Sequence, residues 1–170
     1  SKEAAALRFP RAVGHAQEKE MIERILSRQQ TNNVLLVGNP GSGRKRLIQY
    51  LASKSALGEW QNPLLNYKRV VELDLAHLLS SIQTLEEAEA ILNEIFREVI
   101  AAGNIILVID DLHNFVGGFT EQAAGRVNIA GVLSSYLRIP QFPFIAVTTF
   151  AGLHRYLEQN PSLLSYFEQV

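Results

Sequence analysis

The chain contains no cysteine, so it has no disulfide framework, no thiolate zinc site and no cysteine nucleophile. It also has no long apolar run. Stretches such as Val34–Val37 and Ile105–Ile109 fall far short of the ~20 residues that span a bilayer. Ala4-Ala5-Ala6-Leu7 is too short for a signal-peptide core, and Arg8 interrupts it. An excess of one charge is missing as well: 16 Lys+Arg stand against 17 Asp+Glu, a formal net charge of −1. That balance gives no global reason to expect a nucleic-acid or membrane partner. No internal repeat or low-complexity tract is visible. The 170 residues suit one domain with a real core, and the absences together lead us to expect a soluble, cytoplasmic one.

Apolar periodicity supplies the elements. Residues 1–12 read as an extended arm. His15–Gln29 reads as a helix with Met21, Ile22, Ile25 and Leu26 on one stripe. Val34–Val37 is a continuous apolar run of the kind buried on both sheet faces. Arg44–Ser53 predicts a second helix, Arg69–Asp74 a strand, and Glu86–Ala101 a helix with acidic residues in its first turn and Gly103-Asn104 beyond its end. Ile105–Asp110 predicts a third strand, Phe115–Gly125 a glycine-rich loop, Val127–Leu137 a helix and Phe144–Thr149 a fourth strand. The chain is then helical to about Gln159, and Pro161 opens a new segment. Strands alternating with helices imply a parallel sheet covered on both faces, an α/β sandwich of three layers. Ligands in such folds bind at the carboxyl ends of the strands.

Two of those ends carry chemistry. Gly38-Asn39-Pro40-Gly41-Ser42-Gly43 has the glycine spacing of the phosphate loop G-x-x-x-x-G-K-[ST]. Glycines there let backbone N–H groups curl around phosphate oxygens, and the following helix adds its positive dipole end. The two residues after the loop depart from the pattern. Arg44 keeps a positive charge but replaces a compact ammonium with a bulkier planar fork. Lys45 has only donors and cannot ligate Mg²⁺. Nor does it serve as the phosphate lysine one place late, since one helical position turns a side chain by about 100°. Arg44-Lys45-Arg46 is an anion-binding cluster or a solvated basic face.

The second end is Asp110-Asp111, closing a buried strand. In phosphate-loop enzymes the first carboxylate helps hold Mg²⁺ and the second, usually Glu, handles the attacking water. The plainer alternative is an acidic pair capping the strand-to-loop turn. Asp111 is one methylene shorter than Glu, about 1.5 Å, and a misplacement of that order costs about a hundredfold in rate.

These motifs and their order resemble the first nucleotide-binding domain of the Clp-type AAA+ unfoldases, the ATP-binding subunits of Clp proteases and the related disaggregases. Val13-Gly14-His15 through Leu26 resembles the family's V-I-G-R-x-x-E-I-x-x-x-I-x-I-L, whose Val-Gly pair packs on adenine. Asn32–Gly43 resembles N-N-P-V-L-V-G-E-P-G-V-G, and Leu73-Asp74-Leu75 the second-strand L-D-L. Ala101–Val116 resembles A-G-x-V-I-L-F-I-D-E-I-H-x-L-V. Ala146-Val147-Thr148-Thr149 through Leu157 resembles G-A-T-T-x-x-E-Y-R-K-Y-I, in which a Thr senses the γ-phosphate. Phe167–Val170 resembles R-R-F-Q-P-V.

The resemblance implies a P-loop NTPase fold in which residues 13–170 form the AAA+ large subdomain. It implies that the small helical subdomain lies outside this chain, which is then a piece of a longer protein. It further implies nucleotide contacts at Val13, Gly14, Gly38, Asn39, Pro40, Gly41, Ser42, Gly43, Arg44, Lys45 and Arg46. Asp110 would be a relict Mg²⁺ ligand, Asp111 a degenerate water-activating residue, and Thr148 or Thr149 the sensor. ATP or ADP would be the ligand, and a homo-oligomeric ring, a hexamer in the full-length protein, the assembly. Protein substrates or a protease would be the partners, with no nucleic acid and no membrane.

The departures gather on catalysis. Besides Arg44, Lys45 and Asp111, Ser165 and Tyr166 stand where the family has two arginines that act on the neighbouring subunit's ATP. An arginine finger is worth about 10³–10⁵ in rate. Ser80–Ala88, aligned with the family's pore loop, has neither an aromatic nor a basic residue. Three readings follow: a degenerate nucleotide-binding domain with weak or no ATP hydrolysis and a ring-assembly role; an active ATPase motor for protein unfolding; and a structural interaction domain without ligand. The four histidines lie far apart, with no zinc spacing. Ser80-Ser81 and Ser134-Ser135 lack the glycines of a nucleophile elbow. Trp60 reads as a packing anchor.

Overall fold

The computed structural model describes residues 16–116 and 128–170. Five strands form one parallel sheet: β1 (Asn33–Val37), β2 (Arg69–Glu72), β3 (Ile105–Ile109), β4 (Phe144–Thr148) and β5 (Glu168–Gln169), in the order β2-β3-β4-β1-β5. The helices among the described residues are α1 (Ala16–Leu26), α2 (Arg44–Ala56), α3 (Leu75–Leu79), α4 (Leu85–Ala102), α5 (Ala130–Leu137), α6 (Phe150–Arg155) and α7 (Pro161–Leu164). Short 3-10 turns lie at Pro63–Leu65, Leu112–Asn114 and Leu157–Gln159. None of the described helices is long and apolar enough to cross a membrane.

The unbroken apolar runs in β1, β3 and β4 are explained by two cores. Successive strand side chains point to opposite faces. Leu35, Leu107, Ile109, Phe144 and Ala146 therefore pack with α4 and α5, where Phe96 meets Tyr136 and Phe142 edge-on, each at 5.1 Å between ring centroids. Val34, Leu36, Ile106, Val108, Ile145 and Val147 pack on the other face with Ile22, Ile25, Leu47 and Leu51 of α1 and α2. Trp60, 5% exposed, and Leu65 close that second core, so the connection after α2 is anchored as its composition predicts. Buried Glu23 of α1 holds the same connection: its Oε1 accepts from the backbone N–H of Gln61 and Asn62.

Polar residues end the elements earlier than apolar pattern alone predicts. Asp74 does not extend β2; its carboxylate accepts from the His77 N–H and caps α3. Asp110 does not extend β3; its Oδ1 accepts from the Asp111 N–H at 2.8 Å. Thr149 leaves β4 to cap α6, accepting from the Gly152 N–H at 2.9 Å. Side chains of this kind offer the backbone a local partner in place of the ladder. Thr84 caps α4 by accepting from the Glu87 N–H, and Gly103, at φ 72°, closes its far end. At the amino end of β1, the buried Asn33 amide donates to Leu137 O at 2.6 Å and Tyr166 O at 3.0 Å, and Asn32 donates to Pro140 O at 2.8 Å.

Candidate functional site

The carboxyl ends of β1, β3 and β4 lie side by side, with β4 in the middle. From β1 the chain enters the loop Gly38–Gly43, and the Gly38 N–H donates to Thr148 O at 3.0 Å, joining the loop to β4. Gly41 and Gly43 sit at φ 86° and 92°, the left-handed region where a side chain is strained. At Gly38 a Cβ would lie 2.6 Å from Ser42 Oγ, so a side chain there would require that hydroxyl to turn away. Asn39, Pro40, Gly41 and Ser42 form the exposed rim, turned by a Ser42 N–H to Asn39 O bond of 3.0 Å.

Gly43 precedes α2 with no side chain capping the first turn. Backbone N–H groups and the helix dipole thus stand open to an anion. A cavity of about 250 Å³ opens there, lined among others by Gly38, Ser42, Gly43, Arg44, Phe150 and Glu18. Phe150, which is 47% exposed, is marked by no sequence pattern, whereas Glu18 falls on the glutamate of V-I-G-R-x-x-E.

The three basic residues after the loop separate. Lys45 and Arg46 are exposed and form a solvated face. Arg44 turns inward instead, its side chain 16% exposed. It reaches past β4 to the end of β3, where Nη1 lies 3.7 Å from Asp111 Oδ1 and 4.0 Å from Asp110 Oδ1. Both separations exceed hydrogen-bond length, and Nη1 is buried without a hydrogen-bond partner. The pair is held by charge alone, leaving a buried donor unfilled. Beyond it lies a second cavity of about 360 Å³, lined by Asp110, Asp111, Glu72 and Asp74. Asp111 adopts φ 49°, ψ 46°, a left-handed conformation that Asp tolerates better than longer side chains.

The donor set fits phosphate and does not fit a divalent cation. A phosphate oxygen would meet open backbone N–H groups and the Arg44 side chain, which lines the same cavity. A metal would meet a guanidinium already beside both carboxylates, and Lys45, which faces solvent, offers it no oxygen ligand. No cluster of three or more His, Asp or Glu that could hold a metal occurs among the described residues.

The two threonines at the end of β4 have partners within the chain. Thr148 is fully buried, and its Oγ1 lies 2.8 Å from His113 Nδ1. Thr149 carries the α6 cap. His113, in the turn after the acidic pair, therefore reaches β4. A further guanidinium unforeseen from sequence is that of Arg138, whose Nε donates to Tyr166 Oη at 2.8 Å. It stands beside the position where Ser165 and Tyr166 replace the family's arginines. Val13 and Gly14 lie outside the described residues, as does most of the loop after Phe115.

Residues 34–159 match the profile of the ATPase family associated with various cellular activities (AAA). The chain belongs to that family, in its Clp-type AAA+ branch. It is 32% identical over 158 residues to an ATP-dependent Clp protease ATP-binding subunit ClpA homolog of Cyanidium caldarium, covering 93% of this chain and 18% of the relative. It is 34% identical over 160 residues to the chaperone protein ClpB of Clostridium tetani, covering 93% and 18%. The AAA+ domain described here thus spans about a fifth of the length of such relatives. Its fold superposes on a closed-state cryo-EM reconstruction of Hsp104 with ATPγS and FITC-casein, with a TM-score of 0.74 at 24% identity, covering 94% of this chain and 26% of that one. An S. cerevisiae Hsp104–ADP complex gives 0.72, also at 24% identity, covering 92% and 21%.

Proposed function

We propose that this Clp-type AAA+ domain is a degenerate nucleotide-binding module of an ATP-dependent protein unfoldase or chaperone, with weak or no ATP hydrolysis. Its role is to build or brace a homo-oligomeric ring, a hexamer in the longer cytoplasmic protein, beside a competent ATPase domain. ATP or ADP is its ligand, and unfolding substrates or a protease are partners of the ring rather than of this site.

The observation that carries the reading is the approach of Arg44 to Asp110 and Asp111 at 4.0 and 3.7 Å. Hydrolysis in phosphate-loop enzymes needs a metal beside the first carboxylate and a water beside the second. Here a cationic side chain faces both. Lys45 in place of Ser or Thr, Asp111 in place of Glu, and the absence of arginine at 165 and 166 weigh in the same direction. The open phosphate loop favours the second reading, an active motor for protein unfolding in which Arg44 replaces lysine. Steady-state release of phosphate from ATP by the purified chain, alone and in its assembled ring, separates the two. No release above a blank agrees with the degenerate module, and turnover abolished by Asp111→Asn refutes it.

A further inference from the structure

We propose that Arg44 is a tethered cation that takes the place of the divalent metal, so that the loop takes the phosphates of a nucleotide metal-free. This rests on the reading that Gly38–Gly43 takes nucleotide phosphates, and it deepens that reading by naming the form of the ligand: free ADP or ATP, not the magnesium complex.

Three features of Arg44 carry it. Its stem runs over Gly38, with Cγ 3.4 Å from where a Gly38 Cβ would stand, which aims the head group toward the end of β3. The head group lies within ion-pair range of both carboxylates without hydrogen-bonding either, so no directional bond must break for it to engage a second anion. Arg44 also lines the phosphate-loop cavity, so one side chain borders the loop on one side and the acidic pair on the other. A guanidinium has five donors in a fixed fork, enough to serve a phosphate while its charge stays near the carboxylates. An ammonium carries its three donors on a single nitrogen at the end of a shorter side chain, so it spans less of the gap between loop and carboxylates.

A divalent cation entering between Asp110 and Asp111 would stand about 4 Å from a fixed positive charge, and that repulsion opposes its entry. Asp110 and Asp111 in turn carry two negative charges against one on Arg44, so the metal-free site is a weak one. Glu18 at the cavity wall adds to that.

Calorimetric titration of ADP into the full chain, in magnesium chloride and in EDTA, tests the proposal. The wild-type affinities should agree within about twofold. Arg44→Lys keeps a charge for phosphate but frees the carboxylates, so its affinity should become dependent on magnesium by about tenfold. Asp110→Asn with Asp111→Asn removes the opposing charge, so binding in EDTA should tighten by about threefold or more. Magnesium that tightens the wild type about tenfold overturns the proposal and leaves nucleotide binding standing. An Arg44→Lys variant as indifferent to magnesium as the wild type also overturns it. No heat in either buffer, from a chain whose circular dichroism shows it folded, overturns it while leaving the scaffolding role intact.

Discussion

His113 Nδ1 and Thr148 Oγ1 lie 2.8 Å apart, a hydrogen bond that joins the turn after the acidic pair to the end of the neighbouring strand. The imidazole also stacks on Tyr156, with ring centroids 6.3 Å apart and planes inclined by 17°. Gly152 leaves room for it, since a Cβ there would lie 2.4 Å from His113 Cγ. The turn after the acidic pair is therefore tied to Thr148 at the end of β4 by a ring with neighbours on three sides.

Gly152→Ala tests that packing. Alanine is favoured over glycine within helices by about 1 kcal/mol, so a helix effect alone would stabilise the chain. The contact with His113 predicts the opposite sign, a loss of about 1–3 kcal/mol, because the ring cannot shift without leaving Thr148 and Tyr156. Urea unfolding gives the answer, and a raised midpoint would mean that the ring is free to move.

Asn33→Ala removes the amide that serves Leu137 O and Tyr166 O from a fully buried position. Stranding those carbonyls should cost about 1–3 kcal/mol. Asn33→Asp should cost more, since a carboxylate would face two acceptors. Chemical denaturation of both variants ranks them, and Asn33→Asp at the wild-type midpoint with Asn33→Ala below it would show that size rather than hydrogen bonding matters there.

Asp111→Glu puts the family's residue at this position, and on the degenerate reading it should not bring turnover with it. The residue sits at φ 49°, where the longer side chain is disfavoured. Arg44 still faces the pair, and Lys45 is still no metal ligand. Phosphate release should stay at background, and a gain from this single change would show that the length of Asp111 was the only defect.

Lys68 is half-buried, and burial lowers its pKa from the ordinary lysine value. A base whose folded pKa lies below its unfolded one binds more protons in the unfolded state, so its contribution to stability rises with pH through the window just below 10.5. Below that window the desolvated ammonium destabilises the fold. Lys68→Met should raise the denaturation midpoint at neutral pH, with the gain shrinking as pH approaches that window. A gain that is constant with pH would assign the effect to packing.

The strands and long helices were legible because burial on both faces leaves an uninterrupted apolar run, and α4 carries its stripe, cap and closing glycine in plain order. What misled was the polar residue at each strand end, which reads as the last of the strand but bonds its own backbone, as Asp74, Asp110 and Thr149 do. β5 is only Glu168 and Gln169, pairing with Val34 and Leu35, and has no apolar signature of its own. The phosphate loop and the acidic pair were both visible as motifs. Their joining through Arg44 was not, because it depends on β4 being inserted between β1 and β3 and on a side chain long enough to pass it. Phe150 and Arg138 reach their places through tertiary contacts that no spacing in the chain encodes.

Asn32 and Asn33 fasten β1 at its amino end, whereas the phosphate loop and the acidic pair hang from the carboxyl ends of the same sheet. Heredity can therefore act on the two ends separately. Changes in the loop spare the asparagine anchors, so selection for a stable fold does not guard the chemistry. A domain built this way can outlive its own reaction for as long as something still needs its shape.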